Sequence, residues 1–245
     1  DSAVIAYQIP ENGKITTLRV AAAHGDSPCF KLKPTPEISA NGLTVLSTEK
    51  YGSMIYSGWL DRPLGIAGRV MTRNGDGVKS TVVRLSGTAL IPNVSIHQNR
   101  NINSGFEYNA STDLKALWSG GGKPLYERIA SAANVKKEDI LDFDLFLYNP
   151  EPAIVWGEQG EFVSAPRLDD LQCVYAAVCG FLESVKSDHL KILCIFDNEE
   201  TGSASAAGAD SPILAETVRE ISDRFSVNFL SLAQRGRLLS ADNAH

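Results

Sequence analysis

Short polar clusters carry the residues of this sequence that could do chemistry: His24-Gly-Asp26, Asp169-Asp170, Glu199-Glu200, and Asp242 with His245. Imidazole and carboxylate are donors that hold zinc, and a carboxylate can also serve as a general acid or base. Taken singly, each cluster has a simpler reading. His24-x-Asp26 could be a capped loop, since most histidines bind nothing. Glu199-Glu200 could be a solvated turn, although adjacent carboxylates at the mouth of a buried strand repel each other, a cost that a cation or a functional proton usually offsets. Asp169-Asp170 reads best as negative charge favouring a helix N-terminus. Asp242 alone says almost nothing. Together, however, a His, a lone Asp, a Glu pair and another Asp at successive loop positions supply the ligands of a dinuclear zinc site.

These side chains can converge only if the backbone brings their loops to one edge. Residues 17–23 read as a buried strand that runs into the polar loop 24–28. Leu171, Val174, Tyr175, Val178, Phe181, Leu182 and Val185 recur at helical spacing, which predicts an amphipathic helix over about 169–186. Residues 190–196 form a near-continuous apolar run, the pattern of a central strand covered on both faces, and it ends in Asp197-Asn-Glu-Glu-Thr-Gly-Ser203. A second helix is expected to begin with Ser211 as N-cap and Pro212 at its first position, turning Ile213, Leu214, Val218 and Ile221 inward. Leu238-Leu239 then leads to Asp242 and His245. Open parallel sheets place their sites beyond the carboxyl ends of strands. His24/Asp26, Glu199/Glu200 and Asp242/His245 all fall at such ends.

The stretch between is different. Short alternating segments at 43–46, 53–57, 80–85, 94–97 and 141–148 predict a β-rich region with one helix near 124–133. The fold class is therefore α/β, with one α/β layer made from both ends of the chain, residues 1–33 and 163–245. It is interrupted by a β-rich inserted domain over 34–162.

Composition narrows the function classes. At 43% hydrophobic and 21% charged, the 245 residues form an ordinary globular chain, which can bury roughly 70–75% of its unfolded surface and needs no metal merely to fold. Lys plus Arg number 23 against 29 Asp plus Glu, a net charge of -6, the wrong sign for a binder of nucleic-acid phosphates. No apolar run approaches the ~20 residues of a membrane-spanning helix. Cys29, Cys173, Cys179 and Cys194 show no CxxC spacing; they read as structural thiols of a reducing, cytoplasmic setting. The sequence begins at Asp1 without Met, so a processed chain or a fragment is expected.

Six stretches carry a family resemblance. They are Ala23-His-Gly-Asp-Ser-Pro-Cys-Phe-Lys-Leu-Lys-Pro34, Trp59-Leu-Asp-Arg-Pro-Leu64, Ile91-Pro-Asn-Val-Ser-Ile-His97, Ser164-Ala-Pro-Arg-Leu-Asp-Asp-Leu171, Asp197-Asn-Glu-Glu-Thr-Gly-Ser203 and Ser240-Ala-Asp-Asn-Ala-His245. In this order they closely resemble the aspartyl aminopeptidase family of co-catalytic di-zinc aminopeptidases, over essentially the whole chain. By motif position, the resemblance implies that His24 and Asp242 bind one zinc, Glu200 binds the other, and Asp169 bridges both. It implies Glu199 as general base and Asp26 as the carboxylate that orients the His24 ring. His97, from the insert of a neighbouring subunit, would help polarise the substrate carbonyl. The bond between Asp169 and Asp170 is expected to be cis.

The implied activity is hydrolysis of N-terminal residues, Asp or Glu among them, from peptides with a free N-terminus. Two zinc ions per active site would activate water and polarise the scissile carbonyl. The second zinc's terminal His ligand has no candidate here, and His245 is left as a substrate or structural contact. A dimer-based homo-oligomer is implied, with a dodecamer as one form, and with no nucleic-acid or membrane partner. Two other readings stand beside this one. The first is a catalytically impaired remnant that retains an assembly role. The second is a related di-zinc deacylase or carboxypeptidase, which the Pro-Arg-Leu-Asp and Trp-Leu-Asp-Arg matches disfavour.

Overall fold

The structure, a computed structural model, describes residues 2–243. Two compact units divide the chain: residues 1–27 with 153–245, and residues 28–152. Both changeovers fall earlier than the expected 33/34 and 162/163. Cys29 and Phe30 already pair with strands of the second unit, while residues 154–164 form a hairpin whose strands pair only with each other.

The first unit opens with β1 (Val4–Gln8) and β2 (Thr17–His24). The second contains β3 (Cys29–Ala40), β4 (Leu43–Tyr51), β5 (Pro63–Asn74), β6 (Gly77–Arg84), β7 (Ala89–Leu90), β8 (Ala116–Ser119), α1 (Leu125–Ala133) and β9 (Ile140–Tyr148). The chain then re-enters the first unit through β10 (Ile154–Trp156) and β11 (Phe162–Ser164). There follow α2 (Leu168–Glu183), β12 (His189–Phe196), α3 (Ile213–Arg224), α4 (Phe229–Gln234) and β13 (Arg237–Ser240).

In the second unit the sheet runs β6-β5-β7-β8-β4-β3-β9, and β9 pairs back onto β5, so the ring closes. Alternation gives β9 one buried face: Phe143, Leu145 and Leu147 are buried while Asp142 and Asp144 are exposed. Helix α1 turns Leu125, Ile129 and Ala130 into the same unit's interior and ends at Asn134 in the left-handed conformation. Two expected strands are absent. Residues 53–57 run into a 3-10 turn at Tyr56–Trp59, and 94–97 run into a turn at 96–98.

In the first unit the sheet order is β1-β12-β2-β13. β12 and β13 both run parallel to β2, and β1 closes the other edge antiparallel to β12. Leu18, Val20 and Ala22 of β2 alternate inward and share a core with Leu190 and Ile192 of β12, Val218 and Ile221 of α3, and Leu232 of α4. α2 packs on β2 and β12. Its apolar positions do not form one inward stripe as expected, because Leu171, Tyr175 and Leu182 are exposed and Val185 lies beyond the helix end. α3 starts one residue later than expected: Pro212 occupies the N-cap position, no side chain caps the helix, and the Ser211 hydroxyl is buried without a partner.

Candidate active site

Three parallel strands deliver the acidic loops to one edge of the sheet. β2 ends at His24, paired with Phe196 at the end of β12, and Ser240 at the end of β13 pairs with Ala22. Glu199 and Glu200 therefore follow the end of β12 as Asp26 follows β2 and Asp242 follows β13. This is the carboxyl-end crevice that parallel sheets offer to ligands.

His24 is buried, and each ring nitrogen has its own surroundings. Nδ1 lies 3.3 Å from Asp26 Oδ1 and 3.2 Å from the Asp26 carbonyl oxygen. Nε2 faces the carboxylates of Asp169 at 3.4 Å and Asp242 at 3.7 Å. If Nδ1 donates to Asp26, a neutral ring aims its Nε2 lone pair at two anions, an arrangement that a proton or a metal cation must relieve. The local field favours the proton. Burial pulls the imidazole down, but the charges of Asp170, Asp26, Glu199 and Asp242 outweigh it and hold the ring above the ordinary histidine range.

The β12 loop is fixed by its own hydrogen bonds. Asn198 adopts the left-handed conformation, Glu199–Thr201 form a 3-10 turn, and the Ser203 N–H donates back to the Asn198 carbonyl at 2.8 Å. A Cβ on Gly208 would stand 1.9 Å from the Ser203 carbonyl oxygen, so only glycine fits where this loop folds on itself. Asp26 ties the turn to β2: its Oδ1 accepts the Glu199 N–H and its Oδ2 the Glu200 N–H, each at 3.2 Å. Burial first, then the charges of Asp169, Glu199 and Asp26, push the Glu200 carboxyl up to about 7 against the opposing pull of His24.

Asp169 and Asp170 sit in a kink. Arg167 is left-handed, neither aspartate has helical backbone angles, and the peptide bond between them is cis, as expected. Asp169 projects to a half-exposed position, and the Ser27 hydroxyl donates to its carbonyl. Burial, then Asp242, raises its carboxyl above the usual range. Asp170 corrects the helix-dipole reading: it is fully buried, and its carboxylate accepts the main-chain N–H of His24 at 3.1 Å. The Cys173 thiol also donates to it; that bond, with burial, pushes the thiol up to about 11.

Ligand atoms of His24, Asp169, Asp170 and Asp242 lie within 4.8 Å of one another, as do those of His24, Glu199 and Glu200. Tetrahedral zinc with bonds of ~2.0–2.2 Å spaces its ligand atoms about 3.3–3.6 Å apart, close to the distances from Nε2 to Asp169 and Asp242. One imidazole amid carboxylates, with those of Asp169 and Glu200 raised first by burial and then by neighbouring charge, suits a divalent cation. His97 is not part of this group; it lies in the other unit on an exposed turn, with Nε2 3.3 Å from the Ser95 hydroxyl. His189 opens β12 at the opposite end of the strand, and His245 is outside the described residues. Sequence reasoning missed Asp170 as a partner of the His24 main chain, and missed Asn243, whose carboxamide donates to the Leu168 carbonyl at 2.7 Å. No spacing signal marks either residue.

An α/β sheet with a His and carboxylate cluster at its carboxyl edge is the class of domain that can hold a divalent cation at its strand ends. More particularly, the model of the aminopeptidase I zinc metalloprotease (M18) family matches residues 1–245, and the chain belongs to that family. It is 39% identical over 263 residues to the probable M18 family aminopeptidase 2 of Clostridium novyi (strain NT), covering all of this chain and 60% of that protein. Among solved structures, Ape4 in its complex with Nbr1 superposes with a TM-score of 0.87 at 30% identity, over 100% of this chain and 53% of that one. The S. cerevisiae mApe1 dodecamer gives 0.81 at 25%, over 99% and 58%. The chain thus spans about 60% of the length of the curated relative described.

Proposed function

We propose that this chain carries most of the active site of a zinc aminopeptidase. The observation that carries the reading is the ring of His24, set by Asp26 on Nδ1 and facing Asp169 and Asp242 with Nε2 at the carboxyl ends of three parallel strands. His24, Asp169 and Asp242 would hold one zinc, and Asp169 with Glu200 would hold part of the shell of a second. Bound zinc supplies an activated water and polarises the scissile carbonyl. Asp26 fixes which imidazole nitrogen is free, and its bonds to the main chain of Glu199 and Glu200 hold that turn against β2. Glu199, exposed at the mouth of the site, takes the proton from the attacking water and returns one to the leaving amine.

Peptides with an unblocked N-terminus are the substrate class, because a rim of carboxylates attracts an α-amino group and disfavours an acylated end. A preference for N-terminal Asp or Glu is part of the reading through the family resemblance. So is homo-oligomeric assembly, supported by the dodecamer of mApe1, with His97 serving a neighbouring subunit. No helix among the described residues is long and apolar enough to cross a membrane. Cys29, Cys173, Cys179 and Cys194 are not joined in disulfides among the described residues, and a reducing, cytoplasmic setting is part of the reading. Glu199→Gln tests the assignment in an active form of the protein. Metal content is expected to stay near that of the parent while turnover of an unblocked peptide falls ~10²–10⁴-fold. Retained activity, or equal cleavage of the N-acetylated peptide, would refute it.

A further inference from the structure

The zinc-ligand reading leaves a second set of contacts unexplained. Asp170 is fully buried, and both of its oxygens are engaged: Oδ2 by the His24 main-chain N–H at 3.1 Å, Oδ1 by Asn243 Nδ2 at 3.4 Å. The same Asn243 nitrogen donates to the Leu168 carbonyl at 2.7 Å. These partners come from three separate segments: the end of β2, the start of α2 and the loop after β13. Each segment carries one of the groups read as ligands of the first zinc. His24 supplies its own main chain to the contact, Asp169 adjoins Asp170, and Asp242 adjoins Asn243. A buried carboxylate is costly unless its lone pairs are used, and here they are used to join the three ligand-bearing segments.

We propose that Asp170 and Asn243 form a clamp that sets the mutual spacing of His24, Asp169 and Asp242, so that the three donors meet zinc already arranged. The proposal rests on the reading of those three residues as ligands. Asp170 lies close enough to be counted with the donors, but its oxygens face N–H groups, whereas the carboxylates of Asp169 and Asp242 face Nε2. Asp170 and Asn243 are thus positioning residues, which act on metal through the backbone they join.

Cobalt(II) titration of the chain, followed by visible absorption, provides the test. Asp170→Asn and Asn243→Ala are each expected to weaken cobalt binding about 10–100-fold and to diminish the band of low-coordinate cobalt. The double variant should fall no further than the weaker-binding single variant, because both changes disable one device. Unchanged binding in Asn243→Ala, or losses that multiply in the double variant, would overturn the clamp. Asn243 is only half-buried, so its variant keeps the test open if Asp170→Asn fails to fold. His24→Ala separates the two claims: undiminished cobalt binding there refutes the ligand reading and removes the clamp's role toward metal. A metal-free measurement reads the clamp's own hydrogen bonds. Amide exchange at His24 should quicken about tenfold or more in both single variants, and unaltered protection would overturn the clamp even with the ligand reading intact.

Discussion

Replacing Asp26 measures how much of the site one carboxylate holds in place. Its side chain is 7% exposed and faces three donors: the N–H groups of Glu199 and Glu200 at 3.2 Å and Nδ1 of His24 at 3.3 Å. Hydrogen bonds to a charged group contribute about 1.5–3 kcal/mol each, and contacts this long fall at or below the lower end. Glu199 is at the surface, where water can replace the lost acceptor. Asp26→Ala should therefore lower the unfolding free energy by about 3 kcal/mol, which for a chain of this size lowers Tm by about 6–12 °C. Asp26→Asn keeps one acceptor oxygen and should lose about half as much. Both variants loosen the His24 ring, so zinc affinity should fall about 10–100-fold. Urea unfolding in the presence of a chelator gives the stability, and competition against a zinc indicator gives the affinity. An alanine variant that unfolds with the parent and binds zinc as tightly would refute the reasoning.

Further tests use the same preparations. Asp169→Asn should reduce occupancy of both metals together in a form that binds two, as a bridging ligand requires; elemental analysis showing loss of one alone would argue against the bridge. The metal-free chain should be more stable at about pH 5.5 than at pH 8. Glu200 holds its proton up to about 7 in the folded state against 4.5 as the ordinary value, and His24 is raised above 6.5, so the folded chain binds more protons than the unfolded one through this window. Zinc competes for the same positions, so its affinity should fall as the pH is lowered; a melting temperature that rises toward pH 8 without metal would contradict the sign. Gly208→Ala forces the Ser203 carbonyl away and should destabilise by about 1–3 kcal/mol while slowing any peptidase turnover, a pair of losses that calorimetry and rate assays would reveal.

Much of the positioning frame was legible because it depends on short-range pattern. β12 announced itself as a near-continuous apolar run, and alternation over 141–148 marked β9, whose buried row is Phe143, Leu145 and Leu147. The acidic loops could be placed at strand ends for the same reason. What escaped was set by tertiary contact. Asp170 looked like a helix-start charge because nothing local shows that the chain kinks there and turns its carboxylate toward β2. Residues 94–97 have strand-like composition but find no partner strand, and α2 carries apolar side chains around too much of its circumference for periodicity to say which face is inward. Ring closure through β5 and β9 joins strands far apart in sequence, which no local signal reports.

Anomalous scattering at the zinc edge, from crystals grown with zinc, locates the metal against its ligands. A peak is expected about 2.0–2.2 Å from Nε2 of His24 and from carboxylate oxygens of Asp169 and Asp242, with Nδ1 still toward Asp26. A zinc bound through Nδ1, or a site made by other residues while His24 faces its carboxylates metal-free, would contradict that placement.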